Sequence, residues 1–273
     1  MKSKILYLLL LIFLFSCEDL TKEIDYNTIY GGDKLITHGF ISKQERVHLI
    51  VKKTIAPNDV NADDKVKNAV VFLVQTGDSL IKLNKIDDYQ YVSDNDFVVD
   101  ENANYSLKIT ADSFDIIASE NQSIIKPVKI DSVKLFFDEN SNHSNLVVSF
   151  YDNKNNNAGY YIKQLYYIAG QIDTTMIDEE FFNPYGLIDN TVKGVNSVEI
   201  SLGIINKYDS LLVKLYTLSP DLCEFLKSEQ KYDASKEDPF YDRPYPVFSN
   251  IINGYGIFAS YGVDTAIVTI TNN

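Results

Sequence analysis

The chain has 273 residues, 45% of them hydrophobic and 23% charged, with 38 acidic against 25 basic side chains and a net charge of −13. That length and apolar content suffice for two modest cores, while so acidic a surface repels phosphate backbones and anionic headgroups, which excludes a nucleic-acid-binding role. Two cysteines, Cys17 and Cys223, are too few for a structural zinc cluster built from thiolates.

Lys2 and Lys4 head an unbroken apolar run over residues 5–15, and Ser16-Cys17 closes it. The run falls short of the roughly 20 residues that a spanning helix requires, so the layout is that of a secretory signal peptide over residues 1–16. Its end resembles a bacterial lipobox and implies that Cys17 becomes the lipidated first residue after cleavage. Several acyl chains together make such an attachment effectively permanent. Cys223 is then left without a disulfide partner. Residues 17–33, acidic at Glu18, Asp19, Glu23 and Asp25 and ending in Gly31-Gly32-Asp33, read as a lipidated flexible tether.

From residue 34 the pattern is strand, turn, strand. Short runs rich in Val, Ile, Leu and aromatics occupy 34–41, 47–53, 69–75, 80–85, 89–93, 105–110 and 114–119, with turn clusters such as Thr76-Gly77-Asp78 between them. This predicts a mostly β chain whose first domain, 34–125, is a β-sandwich; immunoglobulin-like and transthyretin-like arrangements both fit. Lys126-Pro127 breaks the pattern and marks a boundary. A second β-rich sandwich domain, 126–273, follows with strands at 131–138, 145–151, 159–168, 197–202 and 210–218. Ser219-Pro220-Asp221 supplies a hydroxyl cap, a proline at the first helical position and a carboxylate at the positive dipole end, so one short helix is expected over 220–232. Residues 256–261 and 264–271 read as a hairpin-like pair of strands turning around Gly262.

The constellations that could carry chemistry are sparse. Gly254-x-Gly256 lacks the following helix and the basic residue of a phosphate loop, so it reads as a tight turn where the last strands approach another backbone closely. Asp59-x-Asn61-x-Asp63 alternates oxygen ligands as a calcium loop does, but Asp64 stands at the glycine position and Val70 at that of the bidentate glutamate, which favours a solvated acidic turn. His38 and His48 are expected as exposed strand residues that could face each other across paired strands. Neither a nucleophile elbow nor a zinc-protease motif is present, Cys223 reads as a small buried hydrophobe, and no catalytic residue, cofactor or metal site is assigned. Aromatic residues crowd two long loops of the second half: Phe181, Phe182 and Tyr185 in one, Phe240, Tyr241 and Tyr245 in the other. Amphipathic rings on loops are what a recognition surface uses, so these six are the candidate recognition residues.

The lipobox, the strand Lys34-Leu35-Ile36-Thr37-His38-Gly39-Phe40-Ile41, the run Asn68-Ala69-Val70-Val71, Asp238-Pro239-Phe240, and Ser249-Asn250-Ile251 with Gly254-Tyr255-Gly256-Ile257-Phe258-Ala259 together resemble one family. It is the family of Bacteroidota outer-membrane lipoproteins catalogued as domain of unknown function 4249, commonly encoded beside TonB-dependent receptors. The resemblance implies a non-enzymatic, lipid-anchored envelope protein on the periplasmic or cell-surface face of the outer membrane. Its expected role is accessory or ligand-binding work with a TonB-dependent receptor, the ligand being a small molecule, peptide or glycan. An adhesion or envelope-structural lipoprotein is the alternative.

Overall fold

The structure, a computed structural model, describes residues 32–56, 59, 62–138, 143–152, 159–174, 181–189, 194–203, 205, 207–237 and 244–270. Eighteen strands occur among them. The first nine are β1 (Leu35–Ile41), β2 (His48–Lys53), β3 (Val70–Gln75), β4 (Ser79–Lys82), β5 (Asn84–Lys85), β6 (Gln90–Val92), β7 (Asn104–Thr110), β8 (Ile117–Ser119) and β9 (Gln122–Ser123). The second nine are β10 (Ile130–Asp138), β11 (His143–Asp152), β12 (Gly159–Ile168), β13 (Gln171–Ile172), β14 (Leu187–Asp189), β15 (Gly194–Gly203), β16 (Ser210–Leu218), β17 (Ile251–Ile252) and β18 (Tyr255–Thr269). One α-helix, α1 (Pro220–Glu237), lies between β16 and β17. The chain is mostly β, as its alternating pattern predicts.

The strands form three sheets. The largest runs β13-β12-β16-β18-β1-β2-β6-β5, with β14 also on β12; a second runs β17-β8-β7-β3-β4, with β9 on β7; the third is β10-β11-β15. In β1 the side chains of Leu35, Thr37 and Ile41 point one way, with Gly39 on the same face, and His38 and Phe40 the other, the period-2 alternation of a strand covered on both faces. Leu35, Ile41, Leu49 and Val51 pack against Val71, Leu73, Leu107 and Ile109 of the facing sheet, closing the first sandwich. On β16, Leu211, Val213 and Leu215 pack against Leu146, Val148 and Phe150 of the three-stranded sheet. Tyr216 and Leu218 instead face α1, with Leu222, Phe225 and Leu226.

β18 differs from expectation. Instead of two strands turning at Gly262 it is one continuous strand of 15 residues. Its first part pairs parallel with β1, Ile36 beside Tyr255 through Ile41 beside Ser260, and its remainder pairs antiparallel with β16, Leu218 beside Tyr261 through Ser210 beside Thr269. Gly262 marks no turn: a Cβ there would stand 2.5 Å from the backbone nitrogen of Pro127, so the glycine lets the crossing segment after β9 lie against the strand. Ile251 and Phe258 complete the core of the first half, so residues 34–125 do not close their sandwich alone.

The Gly254-x-Gly256 reading matches the structure. A Cβ on Gly254 would meet the Leu35 carbonyl oxygen at 2.8 Å, and one on Gly256, where φ is +108°, would meet that of Thr37 at 2.0 Å. The two glycines admit β18 alongside β1. Asn250 fixes the same junction, its side chain accepting from Phe258 N at 2.9 Å and donating to Phe258 O at 2.8 Å.

Candidate functional site

α1 starts where the proline and cap predict and runs one and a half turns beyond the expected end, to Glu237. Ser219 caps it, Oγ accepting from Leu222 N at 3.4 Å, and the Asp221 carboxylate accepts from Gln122 Nε2 at 2.7 Å and Asn250 Nδ2 at 2.8 Å. The helix is thereby tied to the first half of the chain. Two serines on its flank hold the segment that follows: Ser228 Oγ accepts from Phe248 N and Ser235 Oγ from Tyr245 N, each at 2.8 Å.

Between α1 and the outer face of β1 and β2 lies a cleft of about 650 Å³. His38 and Phe40 of β1 and Ile50 and Lys52 of β2 form its floor; Leu222, Phe225, Leu226, Glu229, Tyr232, Asp233 and Lys236 of α1 form one wall; Phe181, Phe182, Asn183, Pro184 and Tyr185 form the other, with Val247 at the edge. Strand register puts the four floor residues on one face, since His38 pairs with Ile50 and Phe40 with His48. His38 and His48 are therefore diagonal neighbours rather than opposite partners.

The 181–185 wall is built locally. Asn183 Oδ1 accepts from Tyr185 N at 2.9 Å and caps a short 3-10 turn, Pro184–Gly186, whose Pro184 carbonyl accepts from Gln230 Nε2 of the helix. Phe181 stacks on Phe40, with ring centroids 4.9 Å apart and planes 16° apart. Phe182 inserts its edge among Phe40, Tyr161, Tyr216 and Tyr261 at 5.3–5.6 Å. Edge-to-face and offset rings at these spacings each add about 0.5–1.5 kcal/mol to what burial supplies.

The floor histidine is the group that stands out chemically. His38 meets the Phe225 ring edge-on at 5.4 Å. Burial beneath the helix, and secondarily the Lys52 ammonium, holds its pKa below the usual imidazole value, so the ring is neutral at pH 7. The exposed strand histidine expected from sequence is thus a mostly covered one, because α1 lies over the face it occupies. His48 pairs with Gln90 at 2.9 Å and stacks under Phe181 at 6.2 Å. The cleft's lysines have neighbours of their own: Lys236 lies 3.2 Å from Asp233 and 3.9 Å from the Tyr232 ring centroid, and Lys52 lies 3.7 Å from Asp64 and over the Tyr89 ring.

Of the six aromatic residues singled out by sequence, Phe181, Phe182 and Tyr185 line the cleft, with Phe182 only 6% exposed and Tyr185 67% exposed. Tyr245 lies outside the cleft lining, with Lys231 over its ring. Phe240, Tyr241 and Cys17, the residue expected to carry lipid, fall outside the described residues. Cys223 is buried in the helix-facing core, as a small hydrophobe would be. Asn61 of the acidic triplet lies outside the described residues, and among those described no group of three or more His, Cys, Asp or Glu is placed to hold a metal ion. Nor is any described helix long and apolar enough to cross a membrane. Sequence reasoning missed His38, Lys52, Glu229, Tyr232 and Asp233 as cleft residues. The available signal was the i, i+2 spacing of His38 with Phe40 and of Ile50 with Lys52, which marks a second covered face on strands whose first face already looked apolar.

No curated protein matches the chain. Among solved structures it is similar to the crystal structure of a DUF4785 family protein from Legionella pneumophila, at 15% identity and a TM-score of 0.25, over 66% of this chain and 51% of that one. The aligned region thus spans about half the length of that protein. The model of the family described as Domain of unknown function (DUF4249) matches residues 21–267. Extending from the stretch before β1 almost to the end of β18, and so taking in both sandwiches, the helix and the cleft, that match places this chain in the DUF4249 family.

Proposed function

We propose that the protein is a lipid-anchored, non-enzymatic component of the cell envelope that binds ligand in the cleft between α1 and β1–β2 and works with a TonB-dependent outer-membrane receptor. The observation that supports ligand binding is the cleft itself. Its volume falls within the range of small-molecule sites, roughly 300–1,000 Å³, and its lining joins an apolar aromatic body to a few polar groups, as such sites do. Phe181 and Tyr185 offer ring surface to an apolar or aromatic moiety, above the buried rings of Phe40 and Phe225. The neutral His38 offers the floor's hydrogen-bonding group, and Glu229, Asp233, Lys52 and Lys236 place both charge signs among the lining groups. Lipid anchorage rests on the Lys2–Cys17 layout, and the receptor partnership on the family resemblance.

The test joins both parts. Native, lipidated protein solubilised from outer membrane is expected to co-purify with a receptor, and cells carrying Phe181→Ala together with Tyr185→Ala are expected to lose uptake of that receptor's ligand while the variant still reaches the membrane. Recovery of the protein alone, with uptake unchanged in the double variant, would sink the proposal.

A further inference from the structure

The first half of the molecule has two ends, and they differ. At one end Gly32 and Asp33 lead into β1, and a hollow of about 310 Å³ is lined there by Asp33, Lys34, Leu35, Ser113, Phe114, Asp115 and Asn253. Four large apolar side chains stand exposed around it: Ile55 at 42%, Ile116 at 54%, Ile252 at 55% and Tyr255 at 55%. Hydrogen bonds and strand register place all four at this end. Thr54, next to Ile55, donates its N–H to the Lys34 carbonyl at 2.8 Å; Asn253 Nδ2 donates to the Ile116 carbonyl at 3.2 Å; Tyr255 pairs with Ile36. At the other end of β1, about 20 Å away for a strand of seven residues, the 42–47 loop meets the 93–103 loop, joined by Ser93 N to Val47 O and by Lys43 to Glu101.

We infer that the Ile55–Ile116–Ile252–Tyr255 end of the first sandwich rests on the lipid surface to which the chain is tethered. The inference rests on the anchor reading of Cys17 given above. Only residues 18–31 separate Cys17 from Gly32, a stretch that reaches at most about 50 Å even when fully extended. A body pulled to a bilayer by its N-terminus presents the end at which that terminus enters, and here that end carries the exposed isoleucines. A tyrosine flanked by aliphatic side chains suits the boundary between headgroups and hydrocarbon, where an amphipathic ring has one apolar face and one wet edge. Asp33 pairs with Lys53 at 3.1 Å and Lys34 lines the same hollow as Asp115, so both charge signs balance beside the patch and the fit is to zwitterionic lipid. In this orientation the second sandwich, reached past the far end of β1 along β18, stands away from the membrane.

The experiment uses the lipidated full chain in phosphatidylcholine vesicles, with an environment-sensitive dye on Ile252→Cys or, as control, on Val98→Cys in the 93–103 loop, where the native side chain is 76% exposed. Cys223 is 3% exposed and does not compete for label. The expected result is a blue-shifted emission and about twofold quenching by lipid-borne nitroxide at position 252, consistent with insertion to the depth of an interfacial anchor, and neither effect at position 98. Vesicle-bound protein with equal, unquenched emission at both positions overturns the inference while leaving the anchor intact. A concentration-dependent shift at position 252 without vesicles assigns the patch to a second copy and overturns it too. Protein that fails to float with vesicles, or floats no better than a Cys17→Ala variant, removes the anchor and the inference together.

Discussion

Tyr261 donates its hydroxyl to Glu45 Oε2 at 2.6 Å, and Lys214 donates to the other carboxylate oxygen at 2.6 Å. The loop between β1 and β2 is thereby fastened to β16 and β18 of the second half. Both charged side chains, Lys214 and Glu45, are only about a quarter exposed, at 21% and 25%, so the pair is largely withdrawn from solvent. Removing the carboxylate by Glu45→Ala is expected to cost about 2–4 kcal/mol, because it strands a part-buried ammonium and a buried phenol together, whereas Tyr261→Phe should cost about 1–2 kcal/mol. Urea unfolding of the two variants checks the ranking, and a smaller loss for Glu45→Ala than for Tyr261→Phe would show that the carboxylate does not hold this junction.

Burial also fixes the response to alkali. Tyr216 and Tyr261 both have hydroxyl pKa values raised well above the ordinary phenol, first by burial and then by the Glu45 carboxylate nearby. The folded state keeps protons that the unfolded chain gives up above pH 10, so stability is full below pH 10 and falls as pH rises beyond it, by up to about 1.4 kcal/mol per pH unit for each phenol. Denaturation midpoints measured from pH 8 to 11.5 should be flat and then fall, and a Tyr216→Phe variant should fall less steeply.

His38 sets the acid limb. Its pKa is lowered, so below about pH 6.5 the unfolded chain takes up a proton that the folded chain refuses. Stability is therefore complete above that pH and lost as pH falls below it, by up to about 1.4 kcal/mol per unit until the folded pKa is reached. The difference in unfolding free energy between the parent and His38→Phe, followed from pH 7.5 to 5, should change with that slope. A constant difference would mean that the ring is charged or solvated in the folded protein.

The junction of β18 with β1 tolerates little change. Gly256→Ala would place a methyl 2.0 Å from the Thr37 carbonyl oxygen at a φ of +108°, and the expected cost exceeds about 3 kcal/mol. Asn250→Ala would unpair both backbone groups of Phe258, at about 2–3 kcal/mol. Thermal melts of the two variants measure the cost, and Gly77→Ala, at a φ of +95° but with open space around it, serves as the control that carries backbone strain without a clash.

How much of this was legible in the sequence depends on whether a feature is local. Period-2 alternation located most strands, and Ser219-Pro220-Asp221 located the helix start to the residue, because those signals act between near neighbours. The two glycines of Gly254-x-Gly256 could be read as a close approach, but not which backbone they approach. Gly262 reads locally as a turn, and only the Pro127 backbone, 135 positions earlier in the chain, shows that it serves a straight strand. Phe182 and Tyr185 sit three residues apart with the same loop signature, yet one fills the aromatic core and the other faces solvent. The 3-10 turn that carries Tyr185 and the packing of Phe182 against Tyr161 and Tyr216 decide that difference, and that packing is not visible until distant strands pair. The helical face of Phe225 marked α1 as amphipathic, while the floor it covers, His38 and Phe40, lies almost two hundred residues upstream.

The position of β18 has a consequence for the order in which the chain can fold as it is made. A polypeptide that emerges N-terminus first cannot seal its opening sandwich until Ile251 and Phe258 have followed, because both belong to that hydrophobic interior and β1 pairs with residues 255–260. Its early portion must wait, with an unzipped sheet margin, for nearly the whole length to arrive. Maturation of this fold is thus expected to be slow, late and dependent on whatever shields bare strands until then.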